Sequence, residues 1–301
     1  MNNATVMLGS NVTLSGTINV NNGSTLNCSR YIVSGTAGVF NHNSGGKLMI
    51  GSPLGITTSV TNGNIQTTGT RAFNTTGKFV YNGIASQVTG NAFPQTLATG
   101  GLLQISNTAS TVTLSQYMDI ASGVYCIVDA GATLTTGVNT HHFDRGCLVT
   151  INGTFQIDAS GDTYSSGTNA CFTYGTNGTF ATNSASVINL YNNNSAWNIN
   201  TGYIATPPNV TIKGAGGVSI QTYGSNPLIL SGTFQTSGPM GISGTQDVTL
   251  NGTCKINTGG SFTNFPTYGA SSILIYNQGG SITRGNEWTA VTSGAGYPNN
   301  V

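Results

Sequence analysis

Charge is what this chain lacks most. Of its 301 residues only 5% are Asp, Glu, Lys or Arg, eight cations against seven anions, for a net charge of +1. An ordinary soluble domain carries about 25%. Such a balance supplies no basic field for nucleic acid or an anionic lipid surface, so neither is expected as a partner. Long apolar runs are also missing, and nothing approaches the ~20 residues of a spanning helix, so no membrane insertion is expected. Sustained i, i+3, i+4 spacing is absent, which argues against helices. The five cysteines, at 28, 126, 147, 171 and 254, include no Cys-x-x-Cys pair. A zinc or dithiol site therefore has no spacing to support it, and no cofactor is expected. Met1 is followed by Asn-Asn-Ala-Thr, without the charged and apolar regions of a secretory leader. The expectation is either a cytoplasmic protein or a slice of a longer one.

What the chain does have is short β-favouring runs, 37% hydrophobic residues and 43 glycines. Runs such as "KLMIG", "KFVYN" and "TVTLS" are separated by Gly, Asn, Ser and Asp turn residues. One phrase returns: "VTLSGTINV" from Val12, "VTINGTFQI" from Val149, "LILSGTFQT" from Leu228 and "VTLNGTCKI" from Val248. A catalytic motif is used once, whereas a recurring phrase marks a unit that is stacked. "LSGTFQ" begins at Leu230 and "LNGTCK" at Leu250, an interval that fits one coil. The predicted fold is all-β, a right-handed parallel β-helix (β-solenoid) of about 20–24 residues per coil, with handedness following the rule for parallel crossovers. Val-x-Leu pairs then line the interior, outward Thr and Ser form the surface, and stacked Asn side chains bond between coils. Like charges would stack along such an axis, which accounts for their rarity. Cys126, Cys147 and Cys171 follow one another at intervals close to one coil, each in a strand-like context. They are expected to stack as structural, buried free thiols, with a disulfide among them as the alternative.

A longer period is carried by "KFVYNG", "VINLYNN" and "ILIYNQ", each followed by a polar stretch and a proline. It divides one continuous solenoid into approximate modules 1–97, 98–208 and 209–301. "GYPNNV" at the end and "NNATVMLGSNVTLSG" at the start read as two halves of a broken module, hence the expectation of a slice. The stretches "FVYNGIASQVTGNAFPQTL" (79–97) and "NEWTAVTSGAGYPNNV" (286–301), with the recurring "VTLSG" phrases, resemble the long repetitive surface and secreted proteins of Bacteroidetes-type bacteria. The resemblance implies export, a cell-surface or extracellular location, a sorting domain not contained in these residues, and an adhesive or stalk-like role. It supplies no catalytic residues.

Three clusters carry candidate chemistry. "THHFDRGC" holds His141, His142, Asp144 and Arg145, with Asp129, Asp158 and Asp162 nearby in sequence. Carboxylates with a basic residue suit polysaccharide cleavage or a cation. Yet adjacent strand residues face opposite ways, and a salt-bridged loop explains the same residues. His142, Asp144 and Arg145 are the catalytic candidates of that alternative. "TRGNEW" offers Arg284, Glu287 and Trp288, either as a sugar-stacking platform or, preferred, as a loop anchor with Arg284 and Glu287 paired. Trp197 recurs one module earlier. Thr-x-Thr pairs at 111–113 and 133–135 stand about one coil apart, and two steps are too few for an ice-binding ladder. The expectation is a non-enzymatic structural or adhesive module. Its expected partners are neighbouring modules or copies of itself through the solenoid ends, and glycans. A carbohydrate-active enzyme or glycan-binding module is the competing class.

Overall fold

The computed structural model describes residues 3–135 save 122, residue 137, the strands and one corner (152–153) between 141 and 250, and residues 251–289 and 295–301. Within 141–250, side chains are described only at 152–155, 233–236 and 249–250. Every regular element described is a short strand, and the strands pair in parallel from the first coil to the last. The chain winds as a β-solenoid with three strands per coil. The first face is an eight-stranded sheet running from Thr5–Met7 to Phe172–Tyr174. The second face is nine-stranded, from Gln87–Val88 to Ile273–Asn277, and the third eight-stranded, from Thr96–Leu97 to Ser261–Phe262. Three-stranded sheets take the remaining places. Among them, Val12–Thr13, Val33–Gly35 and Ile65–Thr67 follow the early first-face strands, and Thr17–Val20, Val39–His42 and Arg71–Phe73 come next.

Register sets the length of each winding. Thr5 pairs with Thr25, Thr25 with Lys47, Leu102 with Tyr125 and Tyr125 with Leu148, so these windings keep to the coil length expected from the repeats. The windings from Lys47 to Lys78 and from Phe180 to Val210 are longer. The extra length of the first of them lies between Ile50 and Ile65, and it builds the site described below.

Alternation sends one residue of each pair inward. On the first face Leu26, Leu48, Phe79, Leu103 and Cys126 stack in register, followed by positions 149 and 172. On the second, Val112, Leu134, Phe155, position 180, position 210, Phe234, Cys254 and Leu274 form the equivalent column. The described members of both columns are buried, and each contributes about 1.5–3 kcal/mol. The cysteine expectation is corrected here. The register partners of Cys126 are Val149 and then Phe172, so no column of three thiols forms at Cys126. Cys254 belongs to the second face, and Cys147 and Cys171 lie outside the described residues. Cys28, Cys126 and Cys254 are free and buried.

The recurring phrase is a strand, a corner and a strand. Its Thr opens the second-face strand in three of the four copies, at Thr154, Thr233 and Thr253. In the first copy Thr17 begins the strand that follows the next corner. Thr111, Thr133, Thr154 and Thr179 are successive register partners, as are Asn209, Thr233 and Thr253. Amides stack as well: Asn41 Nδ2 donates to Asn19 Oδ1 and Asn43 Nδ2 to Asn21 Oδ1, both at 2.8 Å, and Asn277 Nδ2 to Asn257 Oδ1 at 2.9 Å. The tyrosines of the longer phrase sit on three different faces, Tyr81 on the first, Tyr191 on the third and Tyr276 on the second.

Candidate functional site

The His141–Phe143 strand pairs with Met118–Ile120, so His142 takes the register position of Asp119, and Thr163 follows it. Met118 and Ile120 are buried and Asp119 is half-buried. His142 therefore shares the register column of Asp119 and Thr96. Asp144, Arg145, Asp158, Asp162 and Trp197 lie outside the described residues. Asp129 has a structural part: Gln104 Nε2 donates to its Oδ2 at 2.9 Å and Ser106 Oγ at 2.5 Å, linking it to the preceding coil.

The Arg284–Trp288 segment closes over the C-terminal coils. Trp288 is half-buried against the core, and the guanidinium of Arg284 lies 4.9 Å from its ring centroid. Glu287 is only 3% exposed. Its Oε1 accepts from Tyr276 Oη at 2.9 Å and from the Gly285 N–H at 2.7 Å, while Tyr268 Oη donates to its backbone carbonyl at 2.8 Å. Burial, with the Glu287 charge beside them, pushes both tyrosine hydroxyls well above their usual range. The carboxylate is held by hydroxyl and amide donors, and Arg284 stacks on the indole.

A cleft lies elsewhere among the described residues, on the third face, and the sequence reading did not find it. The inner register column there reads Ile18, Phe40, Arg71. A guanidinium thus occupies a position that is apolar in the two coils before it. It is held by the long winding between Lys47 and Lys78. Nη1 of Arg71 donates to the carbonyls of Thr57 (3.0 Å), Ser59 (2.7 Å) and Ile65 (3.1 Å), and Nη2 to that of Thr58. The inserted segment wedges into the second face: Ile56 N donates to Thr89 O at 3.0 Å and Val88 N to Pro53 O at 2.9 Å. Gly55 there has φ +63 and Gly90 φ +90, and a Cβ at either would meet backbone oxygen at about 2 Å, so only glycine fits. On the third face, strand pairing is interrupted between Arg71–Phe73 and Thr96–Leu97, which belong to separate sheets, and resumes where Ala98 N donates to Thr75 O at 3.0 Å. The seam opens as a cleft of about 580 Å³ whose lining includes Arg71, Phe73, Thr75, Pro94, Gln95 and Thr96, together with Thr57, Thr58 and Ala92. Hydroxyls, an amide and a guanidinium line these walls beside one aromatic ring, one prolyl ring and the Ala92 methyl.

No family model matches the chain, and neither the curated proteins nor the solved structures include a match. Among the described residues, no helix is long and apolar enough to cross a membrane. The fold and the cleft are therefore what a functional reading rests on.

Proposed function

We propose that the chain is a non-enzymatic structural and adhesive module of a long extracellular or cell-surface protein, acting as a rigid stalk or filament segment. The observation that carries this reading is how the polar side chains are used. Asn19, Asn21, Asn41, Asn43, Asn257 and Asn277 bond coil to coil, and Asn64, Gln87 and Asn107 fill a corner with amide hydrogen bonds. Polar groups spent in this way stiffen an axis. Each coil contacts only its neighbours, so stiffness is added coil by coil. The partners on this reading are neighbouring modules or copies of the same chain, met through the solenoid ends, where strand edges offer backbone groups for pairing.

Sedimentation at rising concentration tests the association. Reversible end-to-end species are expected, and a strict monomer at high concentration overturns that part. A polysaccharide panel tests the enzymatic alternative: turnover that His142→Ala/Asp144→Ala/Arg145→Ala loses would replace this reading with a catalytic one. The cleft at Arg71 favours a second, compatible role in glycan binding.

A further inference from the structure

The few charges are not evenly spread. Residues 1–118 contain Arg30, Lys47, Arg71 and Lys78 and no Asp or Glu, the first acid being Asp119. Arg30 stacks on Tyr31, 5.3 Å from its ring centroid. Lys47 and Lys78 are register partners on the first face, so two like-charged side chains leave adjacent strands whose backbones lie one coil apart, about 4.8 Å. Both are half-buried, and neither ammonium has a hydrogen-bond or ion-pair partner among the described residues. Like charges directly opposite each other oppose folding, and this pair brings no internal compensation. Arg71 is similar. Its acceptors are all carbonyls, which use Nη1 and one bond of Nη2. The Nε–H has no partner among the described residues and Nη2 makes a single bond, so the guanidinium keeps donors to offer a carboxylate. Thr75 on the cleft wall leads through Gly77 into Lys78, so cleft and lysine pair adjoin around one corner.

The geometry points to a binding site for an acidic polysaccharide: one sugar carboxylate on the unused donors of Arg71, which lines the cleft, and the next acidic units on Lys78 and Lys47. Thr75, Thr96 and Gln95 present hydroxyl and amide groups to sugar hydroxyls, and the faces of Phe73 and Pro94 suit the C–H face of a pyranose. A nucleic acid fits less well, because Phe73 is the one aromatic ring lining the cleft and base stacking needs a row of them. This inference rests on the adhesive half of the reading above.

The test is calorimetry on the whole chain with polygalacturonate, dextran and oligothymidylate, across a salt series. Polygalacturonate is expected to bind at least tenfold more tightly than the other two and to weaken with salt. Lys47→Gln/Lys78→Gln is expected to lower that affinity at least fivefold without lowering Tm. Thr96→Trp, which fills the cleft from an exposed position, is expected to abolish binding, again with Tm kept. Equal or tighter binding of dextran or oligothymidylate, no binding of the polyuronate, or parent-like binding by either variant overturns the inference. Failure here leaves sedimentation free to support or sink the rod.

Discussion

Asn107 Nδ2 donates to Gln87 Oε1 across 3.1 Å inside a corner where both side chains are buried. Gln87 is saturated. Its Nε2 donates to the carbonyls of Ile50 (2.9 Å) and Ser52 (3.0 Å), and its Oε1 also accepts from the Gly83 N–H at 2.8 Å. One amide therefore ties the inserted winding to the coil above it. Replacing it by Leu leaves the buried Gly83 N–H without its acceptor, at about 1–3 kcal/mol when not rehydrated, and takes one bond each from the Ile50 and Ser52 carbonyls and from Asn107 Nδ2, which keep Asn82, Gly55 and Ala85 as partners. Gln87→Leu is expected to destabilise by about 3 kcal/mol, read as a lower urea midpoint with an unchanged m-value.

His42 is 1% exposed, donates through Nε2 to Gly46 O at 2.7 Å, and stands edge-on to Phe79 at 4.6 Å. Its buried Nδ1 has no partner. Burial lowers its pKa from 6.5 to about 4, against the raising effect of the Gly46 bond. The unfolded chain therefore takes up the proton first as pH falls. The contribution of neutral His42 is complete above about pH 6.5 and is lost on the way down to about pH 4, an upper bound of about 3 kcal/mol. In His42→Phe, which keeps a ring between Val20 and Phe73 in register, the fall in urea midpoint from pH 7 to pH 4.5 is expected to be visibly smaller than in the parent. Parallel pH profiles would rule this out.

Burial pushes the thiols of Cys28, Cys126 and Cys254 up to about 12. None supplies thiolate at ordinary pH in the folded state. A chromogenic disulfide reagent at pH 8 is expected to leave these three unmodified in native protein and to titrate them once guanidinium unfolds it. Peptide mapping assigns the labelled positions.

Arg71 gathers four carbonyls with one planar group, and a lysine ammonium does not span them. Arg71→Lys and Arg71→Ala are both expected to loosen residues 57–62, seen as faster amide exchange and protease cleavage there, with the ladders beyond Leu102 unaffected. Equal protection of 57–62 in Arg71→Lys and parent would show that the clamp is not specific to the guanidinium.

Glu287 is buried with its charge answered by Tyr276 and Gly285. Glu287→Ala is expected to cost about 2 kcal/mol, and a red-shifted Trp288 emission is expected as the 285–289 turn opens. Arg284→Ala removes only a cation–π contact from an exposed residue, and the change is expected to stay under about 1 kcal/mol.

The winding was legible because it rests on local chemistry. The Gly-Thr corner, the Val-x-Leu alternation and the stacking amides are each written within a few neighbouring residues. What failed depended on register. The intervals from Cys126 to Cys147 and on to Cys171 look like coil lengths, but the register of this face runs from Cys126 to Val149 and then to Phe172. A slip of one or two positions takes a side chain out of its column. The cleft was hidden for a similar reason. "GTRAF" alternates like any other strand, and only the pairing shows that Arg71 stands over Phe40, after a winding long enough to bring four carbonyls to it. For Arg284 and Trp288, proximity in sequence was visible, whereas the choice of indole over carboxylate was set by the turn that buries Glu287.

The pairing of Leu228 with Val248 and of Thr233 with Thr253 means that two whole copies of the phrase superimpose after a shift of one winding. A block of that size can be duplicated or lost without changing the register in which the remaining windings meet. Reach then becomes a heritable variable that selection can lengthen or shorten one winding at a time, each about the thickness of a single strand.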